Sequence, residues 1–319
     1  MEIAMNQISI NEISPKDIEN LTSTQLVDLL DHLIKAEITS HDLSVQDYFV
    51  PTVNITTPDG GEDGRIIFDG PVTEYLPNNY CCFQSKAGRL SAADCADEIY
   101  YKDGTLKSMV KEVLIKGGCY ILFMGYDVGA NVKREQRKAK ISENIRKRKN
   151  EIFKTADNKV DKLDKNQIKV YDANRISDWV NQHLSIVQLV NHYRERQLDN
   201  TFLPWEYFKI KYYDDFFRYQ FHWTADLKSK SNILFKRLRN RKSVRIIGYS
   251  GIGKSKFITA CFDNQHDIGN VYQSEFCYFN YINIDTENLI DFLIANRNYN
   301  GIIIIDECPA EIHNKISNI

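Results

Sequence analysis

The sequence predicts an α/β protein built as two domains in series, and three observations predict it. An amphipathic helix over residues 23–37 is followed by short runs rich in β-branched and aromatic residues, which further on alternate with helical stretches. A glycine-rich loop at 248–253 stands between a strand-like run and a helix-like run, and an apolar run beginning at residue 301 ends in two acids. The 319 residues correspond to about two domains of ordinary size. With 43% hydrophobic and 26% charged residues, disorder, collagen and coiled coil are excluded as the main character of the chain.

In residues 23–37 (STQLVDLLDHLIKAE), Leu26, Leu29, Leu30 and Leu33 recur at helical spacing after a Ser/Thr start, and Glu37 falls on the same face. VNITT (53–57), RIIFD (65–69) and NYCCFQ (79–84) read as strands, with the turn-forming PDGGEDG (58–64) between the first two. TLKSMVKEVLIK (105–116) reads as a helix that stops at Gly117-Gly118, and CYILFM (119–124) as a buried strand. A basic helix follows over about 131–154, then a strand at QIKVYD (167–172) and a helix at RISDWVNQHLSIVQLV (175–190). This order predicts an α/β sandwich over residues 1–190.

Residues 202–223 hold eleven aromatic side chains in twenty-two positions. We read 191–225 as a packed connector between domains, with a base-stacking surface for single strands as the alternative. Residues 226–319 form the second domain.

The net charge of −2 conceals two basic blocks. Residues 133–149 carry nine Lys/Arg against two Glu, and Lys228 to Arg245 carry eight with no acid. Each is a solvated face or a surface for phosphate backbones. Seven cysteines without a C-x-x-C pair argue against a disulfide framework and a structural zinc site, and the scattered histidines show no metal-ligand spacing. No apolar run reaches the ~18–20 residues of a membrane span and the N-terminus lacks a secretory pattern, so the expected location is cytoplasmic with no membrane partner.

Residues 248–255 match G-x-x-x-x-G-K-[ST] in full, between the strand-like SVRII (243–247) and the helix-like KFITACF (256–262). Gly248, Gly251 and Gly253 let the backbone wrap phosphates, Lys254 neutralises β/γ oxygens, and Ser255 holds the magnesium of a bound ATP. Further on, Gly301-Ile-Ile-Ile-Ile-Asp306-Glu307 places two acids at a strand's C-terminal end, Asp306 for the magnesium shell and Glu307 for the attacking water. Loop and acidic strand together resemble the STAND class of P-loop NTPases, over about residues 225–319. The resemblance implies a longer module with further strands, a sensor region and a repeat array, of which this chain holds the N-terminal part.

Asp63 in the Gly-rich turn before one strand, and Gln84 and Lys86 at the end of the next, have a chemistry of their own. Phosphodiester hydrolysis needs carboxylates on magnesium and a lysine to orient water and offset developing charge. Asp63 is the metal-binding candidate, with Asp59 and Asp69 as rivals. Gln84 adds a neutral oxygen, Lys86 orients water, and Glu37 supplies a further carboxylate. These residues resemble the PD-(D/E)xK restriction-endonuclease-like superfamily in its Gln-x-Lys, Mrr-like variant, over about residues 20–190.

The two resemblances together are similar to the Avs-type antiviral STAND proteins. That family implies an antiphage effector: a magnesium-dependent nuclease that degrades double-stranded DNA, gated by ATP binding and homo-oligomerisation to a tetramer. A phage protein triggers it through a C-terminal sensor that lies outside this chain. Two other readings stay open, an ATP-dependent restriction endonuclease acting directly on DNA, and a non-catalytic scaffold that binds DNA or oligomerises.

Overall fold

The computed structural model describes residues 11–51, 62–147, 167–196, 202–263, 269–280 and 286–318. They form mixed α/β structure in two compact units, the first Ile13–Val180, the second beginning at Asn181 and including Asn11 and Glu12. No helix among the described residues is long and apolar enough to cross a membrane.

The first unit is built on a five-stranded mixed sheet in the order β1-β2-β3-β4-β5. Its strands are β1 (Ser44–Phe49), β2 (Gly64–Asp69), β3 (Tyr80–Lys86), β4 (Cys119–Met124) and β5 (Ile168–Tyr171). β1 to β3 run antiparallel in turn, and β3, β4 and β5 are parallel. The helices are α1 (Pro15–Glu19), α2 (Ser23–His41), α3 (Ala92–Asp97), α4 (Ser108–Ile115), α5 (Asn131–Lys147) and α6 (Ala173–Val180).

Helix α2 starts in a reciprocal cap, Thr22 accepting from the Gln25 amide while the Gln25 side chain accepts from Thr22. Leu26, Leu29, Leu30 and Leu33 are fully buried, as the spacing predicts, and the helix runs past residue 37 to a left-handed cap at Asp42. Helices α3, α4 and α5 cover the opposite face, where Cys82, Tyr120, Leu122, Met124 and Val170 meet Cys95, Val110, Val113, Ile141 and Ile145. Gly118 admits the chain into β4, since a Cβ there would lie 2.7 Å from both the Tyr80 carbonyl and the Val113 side chain.

Several expectations need correcting. The first strand of the sheet is Ser44–Phe49, a run with weak alternation that its ladder with β2 makes a strand; VNITT (53–57) lies outside the described residues. The helix expected over 175–190 is broken. Leu184 donates to the Asn300 carbonyl and Asn300 donates to Gln182, so the backbone at 182–184 pairs outside any helix. The boundary expected at 190 therefore falls inside α7 (Leu184–Tyr193), which packs within the second unit. The basic helix is described to Lys147 and the remainder of its expected span lies outside the described residues.

The second unit holds a three-stranded sheet of β6 (Leu203–Pro204), β7 (Phe276–Asn280) and β8 (Ile302–Asp306), antiparallel then parallel. Its further helices are α8 (Trp205–Lys211), α9 (Ala225–Arg239), α10 (Lys254–Asp263), α11 (Gly269–Tyr272), α12 (Thr286–Ala295) and α13 (Ala310–Ile316). The aromatic run is core rather than connector. Trp205 and Phe208 are buried among Phe262, Phe276 and Tyr278, with Phe216 and Phe217 packed against them, which removes most of these rings from any base-stacking surface. SVRII (243–247) forms no ladder, and Ile247 is 80% exposed. β-Branched residues favour a strand, but only a hydrogen-bonded neighbour makes one.

Candidate functional site

In the first unit the site is assembled at the ends of β2 and β3. Asp63 precedes β2; its amide donates to the Phe83 carbonyl at 2.9 Å and its carboxylate accepts from the Ser85 amide at 2.7 Å. Antiparallel pairing therefore ties Asp63 to the segment that carries Gln84 and Lys86, twenty-two residues away in sequence. Gln84 and Lys86, two positions apart on one strand, leave the same face of the sheet.

That face meets Glu98, directly after α3. Its Oε2 accepts from Gln84 Nε2 at 2.9 Å and from Lys86 Nζ at 2.9 Å, with Lys107 Nζ 3.7 Å away. Gln84 is buried, and its Oε1 accepts from the hydroxyl of buried Tyr120 at 2.8 Å. Burial, then the Glu98 carboxylate, hold the Tyr120 hydroxyl well above its ordinary pKa, so it stays a donor. Burial also pulls the Lys107 ammonium below its usual value, with Lys86 adding to the fall while Glu98 and Asp63 oppose it. These influences place Asp63, Lys86, Glu98 and Lys107 in one electrostatic neighbourhood.

Glu37 is not brought to this cluster. It is 1% exposed and accepts from the Trp179 indole at 3.1 Å, with His41 Nδ1 3.7 Å away. Trp179 packs edge-on against Tyr171, which the strand register places on the Phe123 and Ser85 face, opposite Gln84 and Lys86. Sharing a helix face with core leucines put Glu37 toward the sheet, but toward the wrong side of it for this chemistry. Asp69 closes the far end of β2, where it accepts from Gln46, about 17–20 Å along the strand from Asp63. Asp59 lies outside the described residues.

Sequence reasoning missed Glu98 and Lys107. No motif marks them; the nearest signal is the Ser91–Asp94 capping box, which announces a short helix ending beside Glu98. Among the described residues, no group of three or more His, Cys, Asp or Glu side chains is arranged to hold a metal ion. Magnesium does not require one, since it keeps several waters and takes one or two carboxylates with substrate phosphate. Asp63, tied to the end of β3 through the Ser85 amide, offers one such carboxylate.

Helix α5 packs against α3 and buries Ile141 and Ile145. Its outer cations are partly paired, Lys140 and Lys147 with Glu143, and Arg134 lies 3.3 Å from buried Asp172. Lys140 and Lys147 keep 44% and 63% of their side chains exposed.

In the second unit Gly251 and Gly253 adopt φ of 75° and 91°, backbone that favours glycine, and α10 begins at Lys254. Lys254 Nζ donates to the Gly248 and Tyr249 carbonyls at 3.1 and 3.0 Å. Ser255 Oγ donates to the carboxylate of Asp306 at the end of β8, which also accepts from the Tyr278 hydroxyl at 3.1 Å. Burial and Asp306 push the Tyr278 pKa upward, so it remains a donor. Glu307 is exposed, at φ 56°, and donates its amide to Asp306. Glycine loop, ammonium, hydroxyl and carboxylate are the donor set that a magnesium-bound nucleotide polyphosphate needs.

No family model, curated protein or solved structure matches the chain.

Proposed function

We propose that the chain is a magnesium-dependent DNA endonuclease joined to a nucleotide-binding unit, and that it serves as the effector of an antiphage defence protein. The observation that carries the nuclease reading is the convergence of Asp63, Lys86 and Glu98 at the end of β3, with Lys107 beside them. Glu98 gathers Gln84, Lys86 and Lys107 on one oxygen, and Asp63 is tied through the Ser85 amide to the strand that carries the first two.

In this reading Asp63 holds the cation, and Lys86 orients the attacking water and offsets charge on the scissile phosphate. Lys107 adds a second positive group where that charge develops. Magnesium, when bound, supplies a Lewis acid for the phosphate and a water of lowered pKa. The exposed cations of α5, on the helix packed against α3, suit the backbone of double-stranded DNA.

The Ser255–Asp306 pair supports the nucleotide reading: Lys254 meets the β/γ phosphates while Ser255 and Asp306 hold their magnesium. Antiphage defence, a phage trigger protein and activation by homo-oligomerisation rest on the resemblance to Avs-type proteins. Plasmid degradation in magnesium, with and without ATP and at rising protein concentration, tests the whole. Cleavage that disappears in Lys86→Ala and rises steeply with concentration supports it. DNA-stimulated ATP hydrolysis with no other trigger favours the restriction enzyme, and DNA binding without cleavage favours the scaffold.

A further inference from the structure

We propose that Glu98 supplies a second carboxylate to the divalent cation of the first unit, and that Gln84 acts by holding that carboxylate in place. The inference rests on the metal-nuclease reading above and adds a ligand to it.

Gln84 stands two positions before Lys86 on β3, and its amide is engaged on both sides. The oxygen accepts from Tyr120 and the nitrogen donates to Glu98, in a side chain that is only 2% exposed. Glu98 stands one step further out, with a side chain 22% exposed, next to Lys86 at 35%. A cation arriving from solvent with its waters meets the Glu98 carboxylate before the Gln84 oxygen.

The donors to Glu98 converge on Oε2: Gln84, Lys86 and, at 3.7 Å, Lys107. A carboxylate fixed through one oxygen is oriented in the way ligating carboxylates are, by hydrogen bonds from the shell behind them. Charge argues the same way. Asp63 with Lys86 and Lys107 alone leaves a net positive site that repels a dication, and Glu98 brings the four groups to neutrality. A buried glutamine donating to a glutamate also explains why an amide stands at this position: a second carboxylate there would repel Glu98.

The test is Mn2+ binding, followed by calorimetry on the full 319-residue chain, with cleavage of plasmid as a second readout. Asp63→Asn and Glu98→Gln should each weaken Mn2+ by about tenfold or more, and Gln84→Leu should weaken it less than Glu98→Gln does. Circular dichroism checks that each variant is folded. Should Glu98→Gln fail to fold, Glu98→Asp takes its place: it keeps the charge facing both lysines but withdraws the carboxylate by one methylene, so a ligand role predicts weakened Mn2+ and a counter-ion role predicts no change. Affinity that falls in Asp63→Asn and Gln84→Leu while Glu98→Gln or Glu98→Asp matches the wild type overturns this assignment and leaves the nuclease reading standing. A wild type that neither binds Mn2+ nor cleaves DNA overturns both.

Discussion

Ser255 donates its hydroxyl to the carboxylate of Asp306, 3.0 Å from one oxygen and 2.8 Å from the other, across fifty-one residues of chain. The first residue stands in the first turn of the helix after a glycine loop and the second ends an apolar strand, so only the folded second unit brings them together. A hydroxyl and a carboxylate so placed would hold the magnesium of a bound nucleotide. Ser255→Ala and Asp306→Asn should each lower magnesium-dependent binding of a fluorescent ATP analogue by about tenfold, about 1.4 kcal/mol. Equal affinity in both variants and the wild type would remove the nucleotide reading.

Lys254 donates to the Gly248 and Tyr249 carbonyls of its own loop. Lys254→Ala should abolish nucleotide binding and, if the nucleotide gates the nuclease, DNA cleavage as well, although Lys254 and Lys86 belong to different units. Cleavage by Lys254→Ala at the wild-type rate would show that the nuclease works without the gate.

Lys86 is partly exposed and held by Glu98 at 2.9 Å. Loss of a donor that offsets transition-state charge costs about 10²–10³-fold in rate. Lys86→Ala should therefore cut plasmid cleavage by that factor while DNA binding in a gel-shift assay stays within about twofold, because backbone affinity is spread over many cations. A variant that binds and cleaves like the wild type would relegate Lys86 to the surface.

Glu37 should prove structural. Glu37→Ala leaves the buried Trp179 indole without its acceptor, a cost of about 1–3 kcal/mol in urea unfolding, whereas Glu37→Gln keeps an oxygen in place and should cost less. Magnesium dependence of cleavage should be unchanged in Glu37→Gln. A shifted magnesium requirement would return Glu37 to the metal site.

His192 offers a test by pH. It stacks on Tyr207 at 3.8 Å between ring centroids, and its Nε2 is buried with no hydrogen-bond partner among the described residues. Burial lowers its pKa below the ordinary 6.5. With the folded value depressed, the unfolded chain takes up the proton first, so stability falls as the pH drops from 6.5 toward the folded pKa. Urea midpoints at pH 7.5 and 5.5 should differ more for the wild type than for His192→Phe. An identical difference in the two proteins would show that His192 does not contribute to acid sensitivity.

Much of the framework was legible from local pattern. The leucine face of α2, strands β2 to β5 and the left-handed glycines at 251 and 253 stand where spacing and turn residues put them, because side-chain period and glycine conformation are properties of short segments. The helix expected across 175–190 failed for a reason outside its own residues: the backbone at 182–184 finds better partners at Asn300.

By itself the sequence determined which short segments are amphipathic, which are buried strands, and that Asp63, Gln84, Lys86, Lys254, Ser255 and Asp306 are of the types that phosphate chemistry uses. Only the tertiary structure decided which of them meet. Strand pairing carried Asp63 to Ser85, sheet sidedness sent Glu37 to the opposite face, and packing of α3 brought in Glu98, which no motif announces. The reason is physical: periodicity is written within a few residues, whereas ladder register and helix docking are settled by the free energy of surfaces that lie far apart in the chain.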